Sequence, residues 1–411
     1  MDAFLARQAI LDDKAQLHAY ELLFRDGQSN SFPLDMCPDQ ATSKLLTQNH
    51  LATGFEEVTG DKKAFINFSE ETLIHRFPNS IDPDTVVIEI LEDVVISHAL
   101  LKTVRQLHKA GFTIALDDHD FDPKWDIFLP YVNIIKVDVL QFNILQIAKY
   151  VRRISGFGIT LLAEKVETRE QFDQLKTLGF SLFQGYFFAK PEVLKKKTLS
   201  ANQVNLLELI CMSSRAELDL AAVNSIIEKD VALSYQLLRF INSSSFTKDA
   251  QIGDLKHALN YMGEAELKKF ISLIALANLN EEKPSELLGL SVSRAHFCQK
   301  VADLRGDYQD PPSTFLTGMF SLVDALLDEE MASLMTKLPL LDEIKQALQN
   351  GEGTLGQYIK LARLFERGQW QAVEDLANTL NVDLDKLSEI YNQALSHTDL
   401  LLAQHKSRAK N

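Results

Sequence analysis

The sequence has few cysteines and no long hydrophobic run. Three cysteines, Cys37, Cys211 and Cys298, occur in 411 residues, widely spaced and odd in number. This usage is typical of reduced thiols in a cytoplasm and argues against a disulfide framework or a cysteine-based zinc cluster. No segment reaches the roughly 18 apolar residues that cross a bilayer, and the N-terminus has no secretory pattern. The sequence therefore predicts a cytoplasmic protein with no membrane insertion.

The chain also has little positive charge. Lys and Arg total 42 against 57 Asp and Glu, a formal net charge of −15 at pH 7. This balance argues against binding to a nucleic acid polymer or an anionic membrane surface, so an anionic ligand would need a local cation. Hydrophobic residues make up 46% and charged residues 24%, as in an ordinary folded protein. At about 150 residues per domain, the length predicts two or three domains.

Hydrophobic periodicity changes near residue 195. Before it, short apolar runs alternate with helical segments at about 30 residues per step, the spacing of βαβ units. Two earlier runs flank Asp12-Asp13-Lys14, a turn short enough for a hairpin, which makes the first strand antiparallel. The count predicts a closed (β/α)8 barrel of the TIM type; an open doubly wound sheet is the alternative. The predicted strands are Ala3–Leu11, Leu17–Phe24, Ala64–Ser69, Val86–Leu91, Thr113–Asp118, Asn133–Val139, Thr160–Val166 and Ser181–Phe188.

After Lys195-Lys196-Lys197 the strand pattern stops and apolar residues recur at helical spacing. The fold class is therefore α/β followed by all-α. The predicted boundaries are a barrel over 1–195, a linker over 196–205, a helical domain over 206–395 and a polar C-terminal tail over 396–411.

Polar residues occur near the C-terminal ends of the barrel strands, where a parallel barrel has its catalytic face. Lys136 and Asp138 are two residues apart, so an extended strand projects both to the same side. Carboxylates gathered in one mouth repel one another, and oxygen ligands with one amide suit Mg²⁺ or Mn²⁺; for any single carboxylate, a surface salt bridge is the alternative. Two such ions can activate a water for displacement at phosphorus. The positions are Glu21, Asn67, Glu89, Asp117, Asp118, Lys136, Asp138, Glu164, Glu167 and Gln184.

Seven ordered motifs around these residues are similar to those of the EAL-domain cyclic di-GMP phosphodiesterases. They are Glu21-Leu22-Leu23-Phe24-Arg25, Asn67-Phe68-Ser69, Glu89-Ile90-Leu91-Glu92, Asp117-Asp118, Ile135-Lys136-Val137-Asp138, Ala163-Glu164-Lys165-Val166-Glu167-Thr168 and Gln184-Gly185-Tyr186-Phe187-Phe188-Ala189-Lys190-Pro191.

The resemblance implies hydrolysis of cyclic di-GMP to linear pGpG, the reaction of a cyclic-guanylate-specific phosphodiesterase, with biofilm and motility as family outputs. It implies Glu164 as the general base and Lys136 as a residue that orients the attacking water. Arg25 and Gln184 are implied to bind substrate, and Glu92 and Glu167 to support the site. The implied two-metal site of Mg²⁺ or Mn²⁺ has the ligands Glu21, Asn67, Glu89, Asp117, Asp118 and Asp138.

Three positions depart from the family pattern. Leu22 replaces an alanine, His119-Asp120 replaces a Phe-Gly pair, and Lys165 replaces a glycine beside the implied base. Lys165 either repels a metal or points away, and His119 is interpreted as a solvated loop residue. A second hypothesis is therefore a catalytically weak or inactive EAL domain that acts as a cyclic di-GMP receptor or protein-interaction scaffold. An enzyme acting on another phosphodiester is a third.

Residues 228–243 and 252–263 resemble the HDOD domain, an all-α relative of the HD phosphohydrolases. The second half of the chain has no adjacent His-Asp pair, and Phe320-Ser321-Leu322-Val323, where the family's altered pair falls, is uncharged. A second active site is not expected. The resemblance implies a regulatory or partner-binding module, with a protein partner or a homodimer as possible assemblies.

Overall fold

The computed structural model describes residues 4–25, 56–75, 81–189, 201–215, 217–227, 263–279, 283–307, 311–338 and 340–406. Cys37, residues 196–200 of the predicted linker, and 228–243 and 252–262 of the helical motifs lie outside the described residues. The chain divides into two compact units. The first comprises Met1–Phe188, Leu364–Asp375 and Leu384–Asn411, and the second comprises Ala189–Arg363 and Leu376–Asp383.

Eight strands form a closed barrel in which neighbours in sequence are neighbours in space. The first strand is antiparallel to both the second and the eighth, and the other pairings are parallel. The predicted closed barrel with an antiparallel first strand is confirmed. The strands are β1 (Phe4–Asp12), β2 (Leu17–Arg25), β3 (Lys63–Phe68), β4 (Val86–Ile90), β5 (Thr113–Leu116), β6 (Ile134–Asp138), β7 (Thr160–Glu164) and β8 (Leu182–Gln184).

The hairpin between β1 and β2 forms where the sequence predicts it. The side chain of Asp12 accepts hydrogen bonds from the backbone N–H groups of Lys14 and Gln16, each at 2.8 Å. Such a side-chain-to-backbone bond closes a turn locally, and it sets the register in which Gln8 lies opposite Glu21.

Short helices follow the parallel strands, and polar caps define where two of them begin. Asn143 and Gln146 form a capping box at one helix, and Thr168 and Gln171 form another at the next. The described helices of this region are α1 (Glu56–Thr59), α2 (Glu70–His75), α3 (His98–Lys109), α4 (Ile144–Ile154) and α5 (Arg169–Thr177).

The interior of the barrel has an apolar layer with one side chain from each strand. These eight buried residues form a cluster separate from the larger core, which packs between the strands and the surrounding helices. We name this set the apolar floor: Ile10, Ala19, Phe65, Val87, Ala115, Ile134, Leu162 and Leu182.

The rest of the described chain is helical, as predicted. The helix that starts at Pro311 ends at Phe320, and the next begins at Val323. Among the described helices, none is both long and apolar enough to cross a membrane. They are α6 (Ala201–Ser213), α7 (Leu220–Ile227), α8 (Glu264–Ala277), α9 (Ser285–Arg305), α10 (Pro311–Phe320), α11 (Val323–Leu327), α12 (Met331–Lys337), α13 (Asp342–Asn350), α14 (Gly353–Glu366), α15 (Trp370–Leu380) and α16 (Leu384–Lys406).

Candidate active site

A layer of polar side chains lies above the apolar floor, towards the C-terminal ends of the parallel strands. Because side chains alternate along a strand, the residue two positions beyond each floor residue faces the same interior. In the antiparallel β1 the equivalent position comes two residues earlier. We name this set the polar layer: Gln8, Glu21, Asn67, Glu89, Asp117, Lys136, Glu164 and Gln184.

Lys136 lies at the centre of the polar layer. Its Nζ lies 2.7 Å from both Glu89 Oε1 and Asp117 Oδ1. It also lies 3.1 Å from Glu164 Oε1 and 3.5 Å from Glu21 Oε1. Lys136 and Glu89 are completely buried, and Glu21 and Glu164 are nearly so. Four elements of the barrel therefore direct carboxylates at one buried ammonium group.

Burial and charge shift the titration of this cluster. Burial raises the pKa of Glu89 and of Glu164 well above the ordinary glutamate value, against the opposing effect of the Lys136 ammonium. Burial alone lowers the pKa of Lys136, but the surrounding carboxylates outweigh it and raise that pKa well above its ordinary value. Lys136 is therefore protonated at neutral pH. Four carboxyl groups surround this one ammonium, so a further cation bound beside them would favour their ionised forms.

The amide of Asn67 faces two of these carboxylates. Its Nδ2 donates to Glu21 Oε1 at 3.3 Å. Its Oδ1 position lies 3.3 Å from both Asp117 Oδ2 and Glu89 Oε2, so three oxygens face one another. Rotating the amide by 180° would turn these contacts into donated hydrogen bonds. A cation held among the three oxygens would satisfy them equally.

The donor chemistry of the layer fits Mg²⁺ or Mn²⁺, which prefer carboxylate and amide oxygens. Glu164 Oε2 is buried and accepts no hydrogen bond from the described residues. Within the described ranges, no three Asp, Glu, His or Cys side chains converge on a common metal position, because the carboxylates turn towards Lys136. The residues therefore have the ligand chemistry that the predicted cations prefer, while their carboxylates contact the Lys136 ammonium instead.

Asp138 is buried beyond Lys136 on the same strand and pairs with Lys165. Lys165 Nζ lies 2.5 Å from Asp138 Oδ2, and Asp138 also accepts from the Leu140 N–H at 2.9 Å and from Gln141 Nε2 at 3.1 Å. Although burial opposes it, these donors lower the pKa of Asp138 below its ordinary value. Lys165 does not point away from the site. Its φ of 56° ends the strand alternation from which opposite orientations were expected.

The loop after the paired aspartates is held by buried side chains. His119 is 1% exposed, so the interpretation of His119 as a solvated residue is wrong. Its Nδ1 accepts from the Phe121 N–H at 2.8 Å, and its Nε2 lies 3.0 Å from the Tyr150 hydroxyl. Burial lowers the pKa of His119 to about 4. Asp118, with φ of 37°, is half-buried, and burial followed by repulsion from Asp117 raises its pKa.

The other predicted site residues lie at the edge of the site or outside the description. Glu92 is exposed at the end of β4, and Glu167 is exposed and donates its backbone N–H to Gln171 Oε1 at 2.8 Å. Arg25 ends β2, and its side chain is not among those described. Gln8 was missed by sequence reasoning. Gln8 lies two residues before Ile10, so it faces the barrel interior on the same side. Because β1 is antiparallel, this position could have been found by counting backwards along the strand.

In the second unit, the position of the family's altered pair carries no acidic or histidine side chain. The hydroxyl of Ser321 accepts from Arg294 Nη1 at 3.0 Å, and its backbone oxygen lies 3.5 Å from Arg363 Nη2. These contacts fit a packed structural position between helices.

Comparisons with known proteins decide the family. An EAL domain matches residues 48–191, and an HDOD domain matches residues 200–336. The cyclic di-GMP phosphodiesterase CdgJ of Vibrio cholerae is 39% identical over 388 residues, covering 94% of this chain and 90% of that protein. The chain belongs to the EAL–HDOD family. A second relative, the uncharacterized protein YuxH of Bacillus subtilis, is 35% identical over 403 residues, covering 96% of this chain and 98% of that protein.

Solved structures also resemble part of this EAL–HDOD chain. BlrP1 of Klebsiella pneumoniae, in a complex with calcium and cyclic di-GMP, has 25% sequence identity and a TM-score of 0.36. The match covers 46% of this chain and 56% of the BlrP1 chain, a little over half of its length.

Proposed function

We propose that this EAL–HDOD protein hydrolyses cyclic di-GMP to linear pGpG. The observation that carries the proposal is the polar layer, in which Glu164 keeps a buried oxygen without a hydrogen-bond donor beside the Lys136 ammonium. The relative named cyclic di-GMP phosphodiesterase CdgJ, alike over nearly the whole chain, supports the choice of substrate.

In this proposal, Glu164 is the general base. Its Oε2 takes a proton from the water whose oxygen attacks a phosphorus of the cyclic dinucleotide. One ester P–O bond of the ring breaks, and the released sugar oxygen takes up a proton from solvent to become a hydroxyl group. Burial raises the pKa of Glu164, which makes its carboxylate a stronger base once ionised. Lys136 Nζ, 3.1 Å from Glu164 Oε1, holds the other carboxylate oxygen and leaves Oε2 free to accept the proton.

We propose Mg²⁺ or Mn²⁺ as the cofactor, in a two-metal site. Bound divalent cations supply charge that activates water and stabilises the leaving oxygen. The proposed ligands are oxygen donors from four strands and the loop after β5: Glu21, Asn67, Glu89, Asp117, Asp118 and Asp138. Arg25 and Gln184 are proposed to bind substrate, with Glu92 and Glu167 at the edge.

We propose that the HDOD domain regulates the barrel or binds a protein partner, and that it has no catalytic role. The uncharged position at Ser321, with its hydroxyl bonded to Arg294, supports this proposal.

A receptor that binds cyclic di-GMP without turnover is the second candidate. The ion pair between Lys165 and Asp138 favours it, because an ammonium at 2.5 Å competes with a metal for that carboxylate.

The test is incubation of the purified full chain with cyclic di-GMP and Mn²⁺ or Mg²⁺, with pGpG followed by chromatography. We expect product from the wild type and none from Glu21→Ala, nor from the wild type with excess EDTA. Failure to form pGpG with either metal would overturn the proposed hydrolysis. Calorimetric binding of cyclic di-GMP without product would support the receptor.

A further inference from the structure

The polar layer is hydrogen-bonded to a segment far from the barrel in sequence. Gln8 Nε2 donates to the backbone oxygen of Glu366 at 3.1 Å. Gln8 Oε1 accepts from Gln184 Nε2 at 2.7 Å, and the same Nε2 donates to Glu21 Oε2 at 2.5 Å. Three hydrogen bonds therefore join the end of α14 to Glu21, all within the first unit. We name this series the glutamine relay.

The Glu366 carbonyl fixes the donor and acceptor of every hydrogen bond in the relay. A carbonyl oxygen can only accept, so it requires the amide nitrogen of Gln8 to face it. The amide oxygen of Gln8 then faces Gln184, so Gln184 must donate from its amide nitrogen. Reversing either amide would place oxygen against oxygen, at Glu366 for Gln8 or at Glu21 for Gln184. The backbone of Glu366 thereby determines that a donor faces Glu21.

The segment that supplies this carbonyl is held against the barrel. The Tyr186 hydroxyl donates to Glu366 Oε2 at 3.3 Å, and the Arg367 guanidinium lies 4.9 Å from the centre of the Tyr186 ring. Gly368, with φ of 61°, approaches Leu23 so closely that a Cβ would lie 2.9 Å from Leu23 Cδ1. The carbonyl is therefore fixed on both sides, by the loop after β8 and by β2.

We propose that Gln8 is a positioning residue that, with Gln184 and the Glu366 carbonyl, orients the Glu21 carboxylate for metal binding. The inference rests on the proposed function, in which Glu21 is a metal ligand. Partners that orient a ligand commonly contribute about 10-fold to 100-fold in metal affinity. Residues after the EAL match at 48–191 thus complete the metal site of the barrel.

The test is isothermal titration calorimetry of the full chain with Mn²⁺ alone. Gln8→Met keeps the length of the side chain and removes the amide, so we expect Mn²⁺ to bind about 10-fold more weakly. Gln16→Met is the matched control, because Gln16 is exposed in the turn of the same hairpin. We expect Gln16→Met to bind Mn²⁺ as the wild type does.

The rate of hydrolysis at different Mn²⁺ concentrations distinguishes a positioning role of Gln8 from damage to the fold. For Gln8→Met we expect the Mn²⁺ concentration at half-maximal rate to rise about 10-fold, with kcat at saturating Mn²⁺ within about 2-fold of wild type. A Gln8→Met variant that binds Mn²⁺ like the wild type would overturn the relay and leave the proposed function standing. A wild type that binds no Mn²⁺ would overturn both.

A change at the other end of the relay tests it without altering Gln8. Gly368→Ala strains the backbone, because φ is 61° there and the added methyl group would lie 2.9 Å from Leu23 Cδ1, and it is expected to move the Glu366 carbonyl. We expect weaker Mn²⁺ binding from Gly368→Ala in the wild type and no further weakening in Gln8→Met, because both changes break the same relay. Fully additive losses would contradict the relay.

Discussion

At the scale of single residues, Lys136 supplies the positive charge that the carboxyl groups of the polar layer surround. It is completely buried and lies within 3.5 Å of four carboxylates. Desolvating an ammonium is costly, and its partners compensate this cost only while all of them stay in place. Lys136 therefore stabilises the empty cluster in addition to its proposed role beside Glu164.

Lys136→Met should destabilise the barrel, because it leaves buried carboxylates without a cation. We expect the free energy of unfolding in urea to fall by about 3 to 5 kcal/mol, with part of it restored by Mn²⁺, which binds the folded state. Lys102→Met, at an exposed position of α3, is the control and should change it by less than about 0.5 kcal/mol. A loss below about 1 kcal/mol for Lys136→Met would contradict this assignment.

The buried cysteines give a prediction with a pH dependence. Burial raises the pKa of the Cys211 thiol to about 12 from an ordinary value of 9.0. The thiol therefore ionises first in the unfolded chain, and its contribution to stability is lost as pH rises between these values. At pH 8, Cys211 and the equally buried Cys298 should react with a thiol reagent only after denaturation. Rapid modification of either in the native protein would contradict their burial.

Sequence reasoning predicted every residue of the polar layer except Gln8, since the period of two determines which strand residues share a face. Lys136 and Asp138, predicted to project to the same side of one strand, are both buried. Sequence reasoning missed Gln8, because β1 runs in the opposite direction, and it misjudged His119, whose burial depends on Tyr150 from a later helix. The orientation of Lys165 depends on a left-handed backbone that a lysine rarely adopts.

At the scale of elements, the turn after β8 is held by a close approach of two backbones. Gly185 has φ of 141°, and a Cβ there would lie 2.2 Å from the Val166 backbone oxygen. The Val166 N–H donates to the Gln184 backbone oxygen at 3.0 Å, so the ends of β7 and β8 are joined beside Glu164 and Gln184. Glycine at this position therefore supports the geometry of the site.

Gly185→Ala should cost about 3 kcal/mol or more, since neither the dihedral angle nor the backbone contact admits a methyl group. Chemical denaturation measures the loss. The matched control is Gly156→Ala, where a Cβ meets nothing within 4 Å, and it should change stability by about 0.5 kcal/mol or less. Equal stability of the two variants would contradict the close approach.

Helix α16 is joined to β1 by an ion pair. Both guanidinium Nη atoms of Arg7 bond the Asp399 carboxylate at 2.7 Å, and Arg7 stacks over the Tyr20 ring. The Asp399 side chain is 34% exposed, so solvent screens part of the interaction. A double-mutant cycle of Arg7→Met and Asp399→Asn should give a coupling of about 1 to 2 kcal/mol in unfolding free energy. Losses that add within about 0.3 kcal/mol would show that the pair contributes nothing.

At the scale of the whole molecule, the strand spacing predicted the barrel and the helical periodicity predicted the helices after it. Helix α16 continues from 384 to 406, across the predicted start of a polar tail at 396. Helix α16 and residues 364–375 belong to the same compact unit as the barrel. This assignment depends on long-range contacts, such as that of Gln8 with Glu366, which no local sequence pattern reveals.

The central claim is that the polar layer is a hydrolytic centre with Glu164 as its base. Its most direct test is Glu164→Gln, which keeps the size of the side chain and removes the base. We expect Mn²⁺-dependent formation of pGpG to fall by about 10²-fold to 10⁴-fold, while calorimetry still detects binding of cyclic di-GMP. Turnover at the wild-type rate in Glu164→Gln would contradict the claim.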